Sequence, residues 1–246
     1  MENPLVLVVG AAGTLGRELC REFLQANWRV VGFSRNPDIV YRLVGRQGIV
    51  LFQADCVDSA SLKRAFATAE SELVGCKGAV NCAGNTIRRP LHELSVSEFR
   101  RVQYVNVEST FVAMQREYLL MKKDGGVILN IGSLASLRAN RWQESAYVAA
   151  KHSLLGLTKA AAVEFGADKV RVNLVAPSVF IASSDKEGGE ANSFSIPDSQ
   201  ALAAKSPLRQ LPTVAEVARV VSWLIRECPA CVTGITFRVD AGLSCT

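Results

Sequence analysis

Nowhere in the 246 residues do five like charges stand together, and histidine occurs only twice, at His92 and His152. The first absence argues against a nucleic-acid surface, although the net charge is +5. Two imidazoles without ligand spacing give no basis for a metal site. No apolar run approaches the roughly 18 residues that a membrane span requires. Residues 5–12 are apolar but follow Glu2 and Pro4 rather than a basic segment, so neither an export signal nor a membrane segment is expected. The seven cysteines (20, 56, 76, 82, 228, 231 and 245) are odd in number and widely spread. That pattern excludes a disulfide framework, and a reducing, cytoplasmic setting is expected. Cys228-Pro-Ala-Cys231 has redox-motif spacing, yet it follows a helical pattern late in the chain and no second pair completes a zinc site.

What is present is apolar substance: 49% of residues are AVILMFWYC and 21% are charged, enough for a large core without covalent staples. Short runs rich in Val and Ile, flanked by Gly, Asp, Asn and Pro, read as seven buried strands. They are Leu5–Val9, Arg29–Phe33, Ile49–Phe52, Gly78–Asn81, Val127–Ile131, Val170–Val175 and Ile235–Val239. Amphipathic stretches separate them; after Asp58 and Ser59, which can cap a helix, Leu62, Phe66, Ala69 and Leu73 recur at helical spacing. Continuously apolar strands alternating with helices mean a parallel sheet covered on both faces. The chain is therefore expected to form a single doubly wound α/β domain over 1–246. Residues 183–200 are polar and pattern-poor, and a mobile substrate lid is expected near 183–211.

The first strand runs into Gly10-Ala11-Ala12-Gly13-Thr14-Leu15-Gly16, followed by a helical pattern. Glycines at a first strand–helix corner let the backbone approach a pyrophosphate, with the helix N-terminus supplying N–H groups and positive dipole. A carboxylate at the end of the second strand would accept the ribose hydroxyls of NAD. Here Ser34 and Arg35 stand there instead. A hydroxyl donor and a guanidinium fork suit a 2′-phosphate, so NADP(H) is the expected cofactor.

Tyr147 and Lys151 are four apart, on one helical face. An ammonium beside a phenol stabilises phenolate and draws the Tyr toward general acid/base work on a carbonyl or alcohol oxygen. Ser133 follows the fifth strand, at the carboxyl edge of the sheet where ligands of open α/β folds bind. Asn106 lies within a helical stretch, where Asn is locally unfavourable.

In these motifs, and in their order along nearly the whole chain, the sequence resembles the short-chain dehydrogenase/reductase family, in the branch of about this length. Asp55, Asn81-Cys82-Ala83-Gly84, Val170-Arg171-Val172-Asn173 before Pro177, Thr233-Gly234 and Val239-Asp240-Ala241-Gly242 match as well. The resemblance implies a catalytic set of Asn106, Ser133, Tyr147 and Lys151. Tyr147 would be the general acid/base and Ser133 would orient the substrate oxygen. Lys151 would hold the nicotinamide ribose and lower the Tyr pKa, with Asn106 supporting a proton relay to it. Gly10, Gly13, Thr14, Leu15, Gly16, Ser34, Arg35, Asp55, Cys56, Asn81, Ala83, Gly84 and Pro177 would line the cofactor, together with Tyr147 and Lys151. Val9 stands where the family usually has Thr, Thr14 where it has its middle glycine, Ser178 where a glycine follows the proline, and Ala182 at a usual Thr; Ser183 or Ser184 would have to substitute there.

The implied activity is NADP-dependent hydride transfer between the nicotinamide and a ketone or secondary alcohol. The C-terminal half is similar to 3-oxoacyl-carrier reductases. Ile87-Arg88-Arg89-Pro90-Leu91 is similar to sugar-acid and polyol dehydrogenases of the same family, and a dinucleotide-sensing regulator without turnover is the non-enzymatic alternative. Arg88, Arg89, Arg138 and Arg141 fall in loops near the mouth and would attract an anionic or carrier-bound substrate. The helices around Asn106–Met121 and Tyr147–Phe165 carry Val105, Phe111, Val112, Leu155 and Val163, together with small Ala and Gly faces. In the family such helices pair across a two-fold axis, so a homo-oligomer, a tetramer, is expected.

Overall fold

The computed structural model describes residues 3–139, 142–181 and 196–245. Seven strands form one sheet: β1 (Leu5–Val9), β2 (Arg29–Ser34), β3 (Ile49–Gln53), β4 (Cys76–Asn81), β5 (Gly126–Ile131), β6 (Val170–Pro177) and β7 (Thr236–Val239). All pairings are parallel and the order is β3-β2-β1-β4-β5-β6-β7. Each strand expected from the sequence is present, and several run longer. Ser34 extends β2, its carbonyl accepting from the Ala54 N–H at 2.9 Å. β6 continues to Pro177, which pairs with Val239 of β7.

Both faces of the sheet are buried, so the strands need no polar alternation. In β1, Leu5, Leu7 and Val9 point into one core and Val6 and Val8 into the other. The first core is filled from α3 (Ser59–Thr68), α5 (Ser109–Met121) and α6 (Ser145–Phe165), with Leu62, Phe66, Met114 and Ala161. The second is filled from α1 (Thr14–Gln25), α2 (Pro37–Val44) and α8 (Val214–Arg226), with Leu19, Phe23, Val40 and Val217. As expected, Asp58 caps α3, its carboxylate accepting from the Ala60 N–H at 2.8 Å.

Two features depart from the expected pattern. The stretch carrying Asn106 is not a uniform α-helix: between α4 (Val96–Gln103) and α5, residues Tyr104–Glu108 form a π turn, one residue wider than the helix it interrupts. The second concerns the expected lid. Residues 182–195, including Ala182, Ser183 and Ser184, lie outside the described residues. The segment expected to be loop as far as 200 is already helical from 196, in α7 (Ile196–Ala203). The Pro at position 197 does not forbid this, since a first-turn residue has no intrahelical N–H bond to lose.

The connections run from β1 to β2 on one side and cross to β4 on the other. The chain direction of travel therefore reverses between β1 and β4, opening a crevice beyond their carboxyl ends.

Candidate active site

The glycine turn forms the floor of this crevice. Gly10 has φ +95°, and a Cβ there would come within 2.6 Å of the Ala83 nitrogen, in the turn after β4. Gly16 sits against the Gly10 carbonyl, where a side chain would collide. The Gly10 and Ala11 N–H groups both donate to the Phe33 carbonyl, at 2.9 and 3.0 Å, strapping the turn to the end of β2. Gly13 is the N-cap residue of α1 and offers no side-chain oxygen, while Thr14 begins the helix. Thr14 is outside the positive-φ positions, so its place needs no glycine. Leu15 is buried in the core beneath the turn. The guanidinium of Arg17, itself buried, donates to the Ala12 carbonyl at 2.6 Å and braces the turn from below. The backbone groups and dipole at this corner fit a pyrophosphate.

At the end of β2 the Ser34 hydroxyl is buried and accepts from the Asn36 N–H at 3.0 Å, which leaves its own proton to donate. Arg35 is exposed beside it. Asp55 folds its carboxylate onto the Val57 N–H (3.0 Å), while its own N–H is held by Ser61 Oγ (3.1 Å). Cys56 follows, its thiol pushed up to about 11 by burial. Cys82, the neighbour of Asn81, donates its thiol to the Val9 carbonyl at 3.1 Å; burial drives its pKa well above the ordinary range.

The four catalytic candidates come from three separate segments: Asn106 from the π turn, Ser133 from the loop after β5, and Tyr147 and Lys151 from α6. Lys151 is 3% exposed, and its ammonium donates to the Ile131 carbonyl at 2.8 Å. Burial lowers it to about 8. It stands 5.5 Å from the centre of the Tyr147 ring. Asn106 is fully buried at the π turn; its Nδ2 donates to the Asn85 carbonyl (2.8 Å) and the Val102 carbonyl (2.9 Å). Among the described residues its Oδ1 has no hydrogen-bond partner. A Cβ at Gly84 would lie 2.9 Å from that oxygen and 3.7 Å from Lys151 Nζ, so Gly84, Asn106 and Lys151 surround one point. Ser133 caps the 3-10 turn Leu134–Ser136, its hydroxyl accepting from the Ala135 N–H at 3.1 Å.

Other residues named from the sequence have placements of their own. Pro177 ends β6, and Ser178 continues the ladder by donating to the Val239 carbonyl at 3.1 Å, a geometry that requires no glycine. The Asn81 side chain turns into the core: its Nδ2 donates to Glu117 (3.0 Å) and to Asn130 (3.0 Å). Glu117 escaped the sequence reading. It is 0% exposed and held up to about 8 by burial, and only an acid interrupting the apolar face of α5 could have marked it. Three of the four mouth arginines are already engaged. Arg88 pairs with Glu144 at 3.1 Å, Arg89 with Glu98 at 3.0 Å, and Arg138 donates to the Leu243 carbonyl at 2.7 Å. Arg141 lies outside the described residues. His152 turns to the Val148 carbonyl, on the exposed side of α6. Among the described residues no three metal-ligating side chains gather, and no helix is long and apolar enough to cross a membrane.

A glycine turn at the carboxyl end of β1, together with a buried Lys151 beside the Tyr147 ring, places the chain among Rossmann-type oxidoreductases. The family model described as Enoyl-(Acyl carrier protein) reductase matches residues 10–244. Acetoacetyl-CoA reductase of Acinetobacter sp. (strain RA3849) is 28% identical over 250 residues, covering 98% of each chain. The structure of ElxO with NADP bound superposes with a TM-score of 0.87 at 25% identity, over 99% of this chain and 100% of its own. A short chain dehydrogenase from Leptospira borgpetersenii serovar Hardjo-bovis (strain JB197), with bound NAD+, gives 0.86 at 25% identity, over 99% and 94%. The chain belongs to the short-chain dehydrogenase/reductase family.

Proposed function

We propose that the protein is an NADP(H)-dependent reductase that interconverts a ketone and a secondary alcohol, with a 3-oxoacyl compound as its substrate class. The observation that carries this is the buried Lys151 ammonium, anchored on the Ile131 carbonyl beside the Tyr147 ring. NADPH, when bound, supplies the hydride for the carbonyl carbon. Tyr147 gives its hydroxyl proton to the carbonyl oxygen, and the Lys151 charge stabilises the phenolate left behind. Ser133 holds the same oxygen from the other side. The unpartnered Asn106 Oδ1, close to Lys151, supports a path by which Tyr147 is reprotonated. Gly10, Gly13 and Gly16 cradle the pyrophosphate, Asp55 and Cys56 meet the adenine, and Ala83, Gly84 and Pro177 line the rest.

The 2′-phosphate reading rests on Ser34, with a free hydroxyl proton, and on exposed Arg35 at the end of β2, where no acid stands. The substrate class rests on similarity to an acetoacetyl-CoA reductase. We also propose assembly as a homotetramer. A groove of about 630 Å³ on the outer faces of the π turn and α6 is lined by Tyr104, Val107, Phe111, Gly156 and Leu157, with Arg100 and Glu108 offering opposite charges to a two-fold mate.

The test is the loss of NADPH absorbance with acetoacetyl-CoA, and with a panel of ketones and polyols run with NADPH or NADP. Turnover of acetoacetyl-CoA that vanishes in Tyr147→Phe supports the reading. Turnover of polyols alone assigns the chain to the dehydrogenase alternative, and no turnover at all favours a dinucleotide sensor.

A further inference from the structure

A line of hydrogen bonds crosses the core beneath the cleft, and its direction is fixed from one end. The Thr158 hydroxyl, fully buried on α6, gives its proton to the Leu154 carbonyl at 2.7 Å, so toward Asn130 it accepts, from Nδ2 at 3.0 Å. Asn130 Nδ2 also donates to Met114 Sδ at 3.2 Å, and Asn130 therefore turns its Oδ1 to its register partner on β4, Asn81. Asn81 Nδ2 donates to that oxygen and to Glu117 Oε2, each at 3.0 Å. Both amide protons of Asn81 are then used, and the line ends at the buried Glu117 carboxyl on α5, as an acceptor.

The neighbours of the two asparagines belong to the site. Asn130 precedes Ile131, whose carbonyl holds the Lys151 ammonium, and Thr158 lies seven residues beyond Lys151 on α6. Asn81 ends β4 and precedes Cys82 and Ala83, in the turn that touches Gly10. Among the described residues no ion pair reaches Glu117. The buried Cys76 thiol faces it from β4. Lys77 of β4, Lys63 and Arg64 of α3, Arg116 of α5, and Lys159 and Glu164 of α6 are exposed, and Glu108 of the π turn lines the outer groove. Burial alone therefore holds the carboxyl up, to about 8. Ionised, it would be an uncompensated charge in the core, relieved only by hydration or by displacement of α5.

We propose that Glu117 is a positioning residue for the cofactor: as the neutral acid it closes the Asn81–Asn130–Thr158 line and so fixes the turn after β4 on which the dinucleotide rests, and its ionisation releases that turn. The inference rests on the cleft binding a dinucleotide, and its test requires no turnover.

NADPH affinity is measured by fluorescence titration from pH 6 to pH 9, with circular dichroism and thermal unfolding as controls of the fold. Glu117→Leu removes the acceptor and Thr158→Val cuts the line at its other end; each is expected to weaken NADPH about threefold or more at pH 6. The double variant loses less than the product of the two, since both break one line. Glu117→Gln keeps an accepting oxygen for Asn81 and is expected to stay within about twofold of the parent at pH 6. At pH 9, where the parent has lost the proton, it binds tighter than the parent by about threefold or more. Lys151 titrates in both proteins, so the difference between their curves belongs to Glu117. A contact that only stabilises the fold would lower the unfolding temperature of Glu117→Leu and leave affinity and its pH dependence as in the parent. That result overturns the proposal, as do multiplicative losses in the double variant or parallel pH curves for the parent and Glu117→Gln. If Glu117→Leu does not fold, the comparison with Glu117→Gln decides. A parent that binds neither NADPH nor NADH refutes the dinucleotide site and this role with it, whereas tight binding with parallel curves refutes the role of Glu117 alone.

Discussion

The ammonium of Lys151 donates to the main-chain carbonyl of Ile131, the last residue of β5, at 2.8 Å. A side chain on a helix is thereby locked to the edge of the sheet, two residues before Ser133. The ammonium is buried, and that burial lowers its pKa to about 8.

Ketone reduction is therefore expected to fall as pH rises through about 8, because Lys151 loses the charge that supports the Tyr147 phenolate. Lys151→Arg keeps its charge at all working pH values, and in that variant the descending limb moves to higher pH. Tyr147→Phe cuts turnover by about 10²–10⁴ with NADPH binding retained, and Lys151→Ala is at least as damaging. The losses are less than additive in the double variant, since the groups act as a unit. Steady-state rates across pH, with fluorescence titration of NADPH, check all of these.

Cofactor choice turns on one exposed guanidinium. Arg35→Ala is expected to weaken NADPH roughly tenfold to a hundredfold, the worth of a charge-assisted contact, and to leave NADH nearly unchanged. Equal losses for both dinucleotides would show that Arg35 does not meet a 2′-phosphate.

Glu117 predicts a pH-dependent stability. Its folded pKa, about 8, lies above the ordinary 4.5, so the folded chain holds a proton that the unfolded chain releases. The contribution is complete below about pH 4.5 and is lost as pH rises through about 8, with a slope of up to about 1.4 kcal/mol per pH unit. Glu117→Gln keeps an acceptor for Asn81 and removes the titration. Urea unfolding should show this variant gaining on the parent steadily from pH 5 to pH 8, and parallel curves would refute the assignment.

Assembly has a direct check. Phe111 is 45% exposed in the groove between the π turn and α6. Phe111→Glu is expected to reduce the light-scattering mass of the parent oligomer toward that of one chain, while the folded circular dichroism spectrum persists. A parent already of single-chain mass would refute the tetramer.

The sequence made the sheet legible because burial on both faces leaves uninterrupted Val and Ile runs, as in β1 and β6. It made the glycine turn legible because Gly10 and Gly16 have steric reasons that no other residue satisfies. The π turn at Asn106 left no trace, since its widening is a backbone adjustment with no side-chain period of its own. α7 was hidden because eight residues give too few turns to establish one. The Arg88–Glu144 ion pair joins segments 56 residues apart, and Glu117 is paired through Asn81 on another element. Contacts of that kind are made by topology, and local pattern carries no record of them.

One consequence concerns how such a chain can change over generations. The Cβ position of Gly10 falls on the Ala83 nitrogen, so the turns after β1 and β4 touch backbone to backbone. Cys82 adds two ties to the same seam, its N–H and its thiol both on the Val9 carbonyl. Neither turn can be lengthened or rebuilt without displacing the other, although they are far apart in the gene. Drift at one is tolerated only alongside a matching change at the other, so the two halves of the cleft floor are inherited as a pair.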